Sequence, residues 1–173
     1  MTKRILLIAC LLLMLTGCSK TTESGYEEIT LAECIEKFEK NETFAFIIFY
    51  DGCPYCAEAE PLFEKAAKES GSKAYYINFT HVWAKEQTED VRKYDLNYDK
   101  LCHFLDSQLV EEEDGTKSLW VPQAAFIKNG IVVMGHTGTL DDHDPYEAKM
   151  TKEQQEKVLK IYLDGFDSIK SGF

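Results

Sequence analysis

The sequence lacks an excess of positive charge: 19 lysines and arginines stand against 30 aspartates and glutamates, a formal net charge of −11. A surface of that sign repels phosphate backbones and anionic headgroups, so nucleic acid drops out as a partner and charge cannot hold the protein to a membrane. An apolar run long enough to cross a bilayer is missing too, because residues 5–15 fall short of the ~20 that a spanning helix needs. So is a second paired cluster of metal ligands: Cys34, Cys102, His81 and His103 are scattered along the chain. Cys53-Pro54-Tyr55-Cys56 therefore has no partner pair with which to complete a zinc site. Transient Cu(I) binding by its two thiols stays chemically open, since Cu(I) favours soft ligands. The stretch Asp141-Asp142-His143-Asp144-Pro145-Tyr146-Glu147 lacks the ligand spacing of a calcium loop and reads as a solvated acidic loop. No repeat or low-complexity segment divides the chain, which suits a single core of about 140 residues.

What is present begins with an export signal. Lys3 and Arg4 precede the apolar run, and small residues precede Cys18. Leu15-Thr16-Gly17-Cys18 resembles the lipobox of bacterial lipoproteins. That resemblance implies a signal peptide over residues 1–17 and acylation of Cys18, which becomes the mature N-terminus and a lipid anchor. Two acyl chains hold stably where one holds marginally, at about 0.8 kcal/mol per buried methylene. Loss of Lys3 and Arg4 with the signal makes the mature chain still more acidic. Membrane contact is then through lipid alone. Residues 18–28 read as a polar, flexible leash, and residues 29–173 as an extracytoplasmic domain.

Within that domain, Thr30-Leu31-Ala32-Glu33 has the form of a capping box and opens a helix to about residue 40. Residues 44–50 form an aromatic and β-branched run too short for a helix, which predicts a strand buried on both faces. From Pro54 the pattern turns helical, with Gly71 as its stop and Pro61 inside it. Residues 74–79 predict a second strand, parallel to the first through a right-handed crossover. Residues 84–109 carry a mixed helical pattern, and residues 111–115 a charged turn. Asn129-Gly130 predicts a type I′ hairpin between strands at 123–128 and 131–135. An amphipathic helix over 151–169 closes the chain.

Two segments resemble the thioredoxin superfamily. Phe44 to Cys56 is similar to that fold's central strand running into its active-site helix, with Pro61 at the position of the helix-kinking proline. Val121-Pro122-Gln123-Ala-Ala-Phe-Ile-Lys-Asn-Gly130 is similar to its cis-proline segment and following hairpin. The resemblance implies an α/β thioredoxin fold, a mixed central sheet flanked by helices, with a helical insertion over about residues 80–118. It also implies that Pro122 is cis beside the cysteine pair and that the backbone of Val121 pairs with an extended substrate. Trp120 either borders that groove or serves as core or rim packing. Ile47 stands where thioredoxins keep a buried aspartate that assists proton transfer at the second cysteine, so that shuttle is absent. With the lipobox, Asp51-Gly-Cys-Pro-Tyr-Cys56 resembles the lipoprotein thioredoxins of Gram-positive bacteria, including bacteriocin transport accessory proteins.

The chemistry expected of the pair follows from the thiolate being the nucleophile in disulfide exchange. Cys53, at the start of a helix, places its sulfur before unpaired N–H groups and the positive dipole end, in an accessible position. It is the expected attacking residue. Cys56, one turn further in, resolves the mixed disulfide. Pro54 and Tyr55 tune the poise, and resemble the pair in glutaredoxins, which implies a less reducing couple than thioredoxin. No cofactor is needed beyond the Cys53–Cys56 disulfide itself. The expected function is a thiol–disulfide oxidoreductase acting on protein or peptide thiols and disulfides, recharged by a membrane or extracytoplasmic redox partner. The alternatives are an accessory or binding module for an export system, and Cu(I) delivery. Cys34 and Cys102 are open to pairing with each other in an oxidising compartment or to packing as buried thiols. His136 is expected on the surface or in a hydrogen-bonded core position.

Overall fold

A computed structural model describes residues 25–80 and 96–170. The expected signal peptide, Cys18, residues 18–24 of the leash, His81 and residues 81–95 of the insertion lie outside the described residues. The chain runs β1 (Tyr26–Glu28), α1 (Leu31–Glu39), β2 (Phe44–Phe49), α2 (Pro54–Ser70), β3 (Ala74–Asn78), α3 (Leu96–Phe104), a 3-10 turn (Asp106–Gln108), β4 (Val110–Glu111), β5 (Lys117–Ser118), β6 (Gln123–Lys128), β7 (Ile131–Thr137) and α4 (Lys152–Lys170).

Five strands form one sheet in the order β1-β3-β2-β6-β7. β1, β3 and β2 are parallel, and β6 and β7 are antiparallel additions. This is the mixed sheet of a thioredoxin fold. β2 lies at its centre with both faces covered: Phe44, Phe46 and Ile48 join one core with Phe38 and Leu101, and Ala45 and Ile47 join the other with Phe63, Phe126, Tyr162 and Phe166. Strict alternation within a wholly apolar strand is what helices on both faces require.

The local signals act as their chemistry dictates. Glu33 N–H donates to Thr30 Oγ1 at 3.2 Å while Thr30 N–H donates to Glu33 Oε2 at 2.7 Å, a complete capping box. Asn129 and Gly130 both take positive φ, 52° and 75°, as the hairpin needs. Gly71 closes α2 in the left-handed region.

Three expectations change. Residues 26–28, assigned to the flexible leash, form the edge strand β1, because the Tyr26 ring packs on Phe63 and Tyr76 and three residues pair with β3. The described part of the insertion is not only helical, since β4 and β5 make a small separate hairpin. Stacking of Phe104 on Phe38, with ring centroids 4.5 Å apart, fixes α3 against α1. The acidic run at 141–147 is not simply solvated, because His143 within it is buried.

Candidate active site

The turn that presents the cysteines is tied to the neighbouring strand. Asp51 N–H donates to Thr80 Oγ1 at 2.6 Å, and Asn78 Nδ2 donates to Asp51 Oδ1 at 3.3 Å. Gly52 turns the chain at φ 88°, a conformation glycine adopts without steric cost, and Cys53 then becomes the N-cap of α2. Pro54 occupies the first helical position, where no N–H is called for.

Cys53 and Cys56 form a disulfide with Cα atoms 5.1 Å apart. Cys53 Sγ accepts from Cys56 N–H at 3.1 Å, so the sulfur does what an N-cap oxygen usually does. The same bond, with the helix dipole behind it, favours negative charge on that sulfur once the disulfide opens. Cys53 was expected to be accessible, yet it is only 5% exposed, close to the 3% of Cys56. Half-buried Pro54 and Tyr55 follow it in the chain and lie between the two buried sulfur-bearing residues.

Val121-Pro122 is a cis peptide. Ile48 pairs with Gln123, so one further register step sets Pro122 across from Phe49, at the sheet end from which Cys53 emerges. The Pro122 carbonyl accepts from Gly138 N–H at 2.8 Å. Val121 is half-buried and packs toward the α1 side. Trp120 is 52% exposed, and its Nε1–H donates to Glu112 Oε1 at 2.8 Å, so it is a rim residue held by the insertion rather than core.

Ile47 is fully buried in the α2/α4 core, with no acid in its place. His136 is away from the pair: its Nε2 lies 2.7 Å from the Thr139 carbonyl, its ring stands edge-on to Tyr162, and burial pushes its pKa down. Cys34 and Cys102 are both free thiols. Among the described residues no group of three or more histidine, cysteine or acidic side chains is placed to hold a metal ion.

Sequence reasoning missed the contact between the 140–150 segment and α2. Tyr55 OH donates to Asp144 Oδ1 at 3.5 Å, and the Tyr55 and Tyr146 rings meet at 6.2 Å. Partial desolvation, then the Asp144 carboxylate, raise the Tyr55 pKa. A residue from the turn before α4 thus reaches the residue lodged between the cysteines, and no spacing pattern announces a pair 89 positions apart.

No protein-family model matches the sequence, and no curated protein does. Solved structures with similar backbones include a mutant thioredoxin from Halobacterium salinarum NRC-1, 12% identical over 87% of this chain and 95% of that one, TM-score 0.46. Thioredoxin f2 from Chlamydomonas reinhardtii is 14% identical over 68% and 88%, TM-score 0.42. Thioredoxin from Aeropyrum pernix is 19% identical over 78% and 85%, TM-score 0.40. At such levels the likenesses extend no activity to this chain.

Proposed function

We propose that the protein is a thiol–disulfide oxidoreductase acting on protein or peptide cysteines. The observation that carries this reading is the Cys53–Cys56 disulfide at the mouth of α2, with Cys53 Sγ facing the Cys56 N–H. From the reduced state, the Cys53 thiolate attacks one sulfur of a substrate disulfide. A Cys53–substrate bond forms, the substrate S–S bond breaks, and the departing sulfur leaves as a thiolate that takes up a proton. Cys56, deprotonated, then attacks Cys53 Sγ, releasing the second substrate sulfur and restoring the Cys53–Cys56 disulfide. Two electrons pass from protein to substrate. Run in reverse from the disulfide, the same steps oxidise a dithiol. Burial of Ile47 in the aspartate's place means that the proton leaving Cys56 goes to solvent or substrate rather than to a resident carboxylate beneath it.

The reading extends to location. The lipobox-like Leu15-Thr16-Gly17-Cys18 supports a lipoprotein tethered outside the cytoplasm through Cys18, recharged by a redox partner in or near the membrane. Asp51-Gly-Cys-Pro-Tyr-Cys56, together with that lipobox, supports kinship with the bacteriocin transport accessory type. Exposed Trp120 and the β4-β5 hairpin offer a recognition surface, which favours as a second reading an accessory module for an export system.

Turnover of insulin or a small disulfide by wild type and by Cys53→Ser tests the enzymatic reading, and equal rates would remove it. Cys56→Ser should trap substrates as mixed disulfides for mass spectrometry. If a double-serine variant at Cys53 and Cys56 restores a deletion strain, binding is the function and redox chemistry is not.

A further inference from the structure

Helix α2 carries a carboxylate that the exchange reaction does not use. The side chain of Glu58, two residues beyond Cys56, is 14% exposed and turns its oxygens to the segment between β7 and α4. Glu58 Oε2 lies 2.7 Å from His143 Nε2, and Met150 N–H donates to Glu58 Oε1 at 3.3 Å and Oε2 at 3.2 Å. His143 and Met150 are themselves buried, 8% and 5% exposed. A carboxylate withdrawn from water is costly unless its lone pairs are filled, and here an imidazole and a backbone amide fill them.

The segment so pinned is folded. His143 N–H donates to the Leu140 carbonyl at 3.0 Å, Glu147 and Ala148 N–H donate to the Asp144 carbonyl at 3.1 and 3.2 Å, and Gln155 Nε2 donates to the Met150 carbonyl at 3.0 Å. It forms a strap along the first turns of α2. Its outer part reaches Tyr55, the residue lodged between the two cysteines: Asp144 Oδ1 takes hydrogen bonds from Tyr55 OH and from Tyr146 N–H, and the Tyr146 ring stands edge-on to Tyr55. Tyr146 itself is 75% exposed, so the strap adds an open aromatic ring beside Tyr55, between the positions of two cysteines that are nearly covered.

We propose that Glu58 is a positioning residue: by holding His143 and Met150 it fixes the 140–150 strap beside Cys53–Cys56, and the fixed strap limits the bulk of the thiol or disulfide that reaches Cys53. The inference rests on Cys53 being the exchanging sulfur. An extended cysteine-bearing segment fits past Tyr55 and Tyr146, whereas a compact folded disulfide is held off.

The test measures access at Cys53 directly. The reduced full-length protein is labelled with N-ethylmaleimide or with the same maleimide on a long poly(ethylene glycol), and rates at Cys53 are resolved by mass spectrometry. Glu58→Ala, which removes both contacts, should raise the bulky-to-small rate ratio several-fold. Glu58→Gln keeps an acceptor for Met150 N–H and a partner for His143, and should restore the wild-type ratio. In turnover, Glu58→Ala should lower KM for a folded protein disulfide more than for a small one. An unchanged labelling ratio in folded Glu58→Ala overturns the proposal. Should that variant fail to fold, Tyr146→Ala at the exposed tip must raise the same ratio, and an unchanged value there overturns it equally. If the ratio shifts while wild type turns over no disulfide, the strap stands as a gate to Cys53 and the oxidoreductase reading falls.

Discussion

Two pairs of cysteines share this domain and have opposite chemistry. Cys53 and Cys56 sit at the start of a helix on one side of the sheet, bonded to each other, with a backbone N–H turned to the first sulfur. Cys34 and Cys102 lie on the other side, within α1 and α3, and are free. Cys34 is fully buried among apolar neighbours, and that burial pushes its thiol up to about 12, with Lys37 opposing only weakly. Burial raises Cys102 as well, against a hydrogen bond from Tyr98. The same side chain is thus poised for exchange where a helix opens and made inert where a helix packs.

The sharpest way to break this contrast is by turnover. Cys53→Ser should reduce disulfide exchange to background, whereas Cys34→Ala should leave the rate on a small disulfide near wild type. Comparable losses in the two variants would dissolve the distinction.

Labelling of the reduced protein comes next in size. At pH 8 a thiol with a pKa near 12 is ionised to about one part in ten thousand. N-ethylmaleimide should therefore modify Cys53 orders of magnitude faster than Cys34, as read site by site by mass spectrometry.

A smaller effect is expected in stability against pH. The folded pKa of Cys34 is raised from 9.0 to about 12, so the unfolded chain loses this proton first as pH rises. The stability that Cys34 contributes is whole below pH 9 and declines above it, levelling off only beyond pH 12. Between pH 7 and 10.5 the stability advantage of wild type over Cys34→Ala should shrink by about 2 kcal/mol in urea unfolding.

Least in magnitude, Thr30→Ala removes the cap of the helix that carries Cys34. It should cost about 1 kcal/mol of stability and leave exchange by Cys53 and Cys56 untouched. A fall in turnover beyond the fall in folded fraction would show that the two sides of the sheet are coupled.

The features legible in the sequence were those with short-range causes. The capping box spans three residues, the type I′ turn needs two adjacent positive φ values, and the β2-turn-α2 passage is written in one continuous stretch from Phe44 to Ser70. The cis peptide before Pro122 was legible through resemblance rather than through any local rule. β1 was not legible, because three residues rich in glutamate carry no strand pattern, and a single side chain, Tyr26, supplies their anchorage on Phe63 and Tyr76. The strap was missed for a related reason. A charged run reads as solvated by composition, and its burial at His143 depends on a partner, Glu58, that only the tertiary fold brings within 2.7 Å. The near-complete covering of Cys53 belongs to the same class, since helix-start chemistry specifies a sulfur's electrostatics and not its roof.

The direction of β1 gives the domain a front and a back. β1 runs parallel to β3, which runs parallel to β2, and Cys53 leaves the forward tip of β2. Gly25, by contrast, enters at the rear tip of β1, where its carbonyl receives Ala74 N–H at the start of β3. If the chain is held through Cys18 as proposed, the pull falls on the rear pole and the sulfurs face outward, toward incoming chains and away from the lipid.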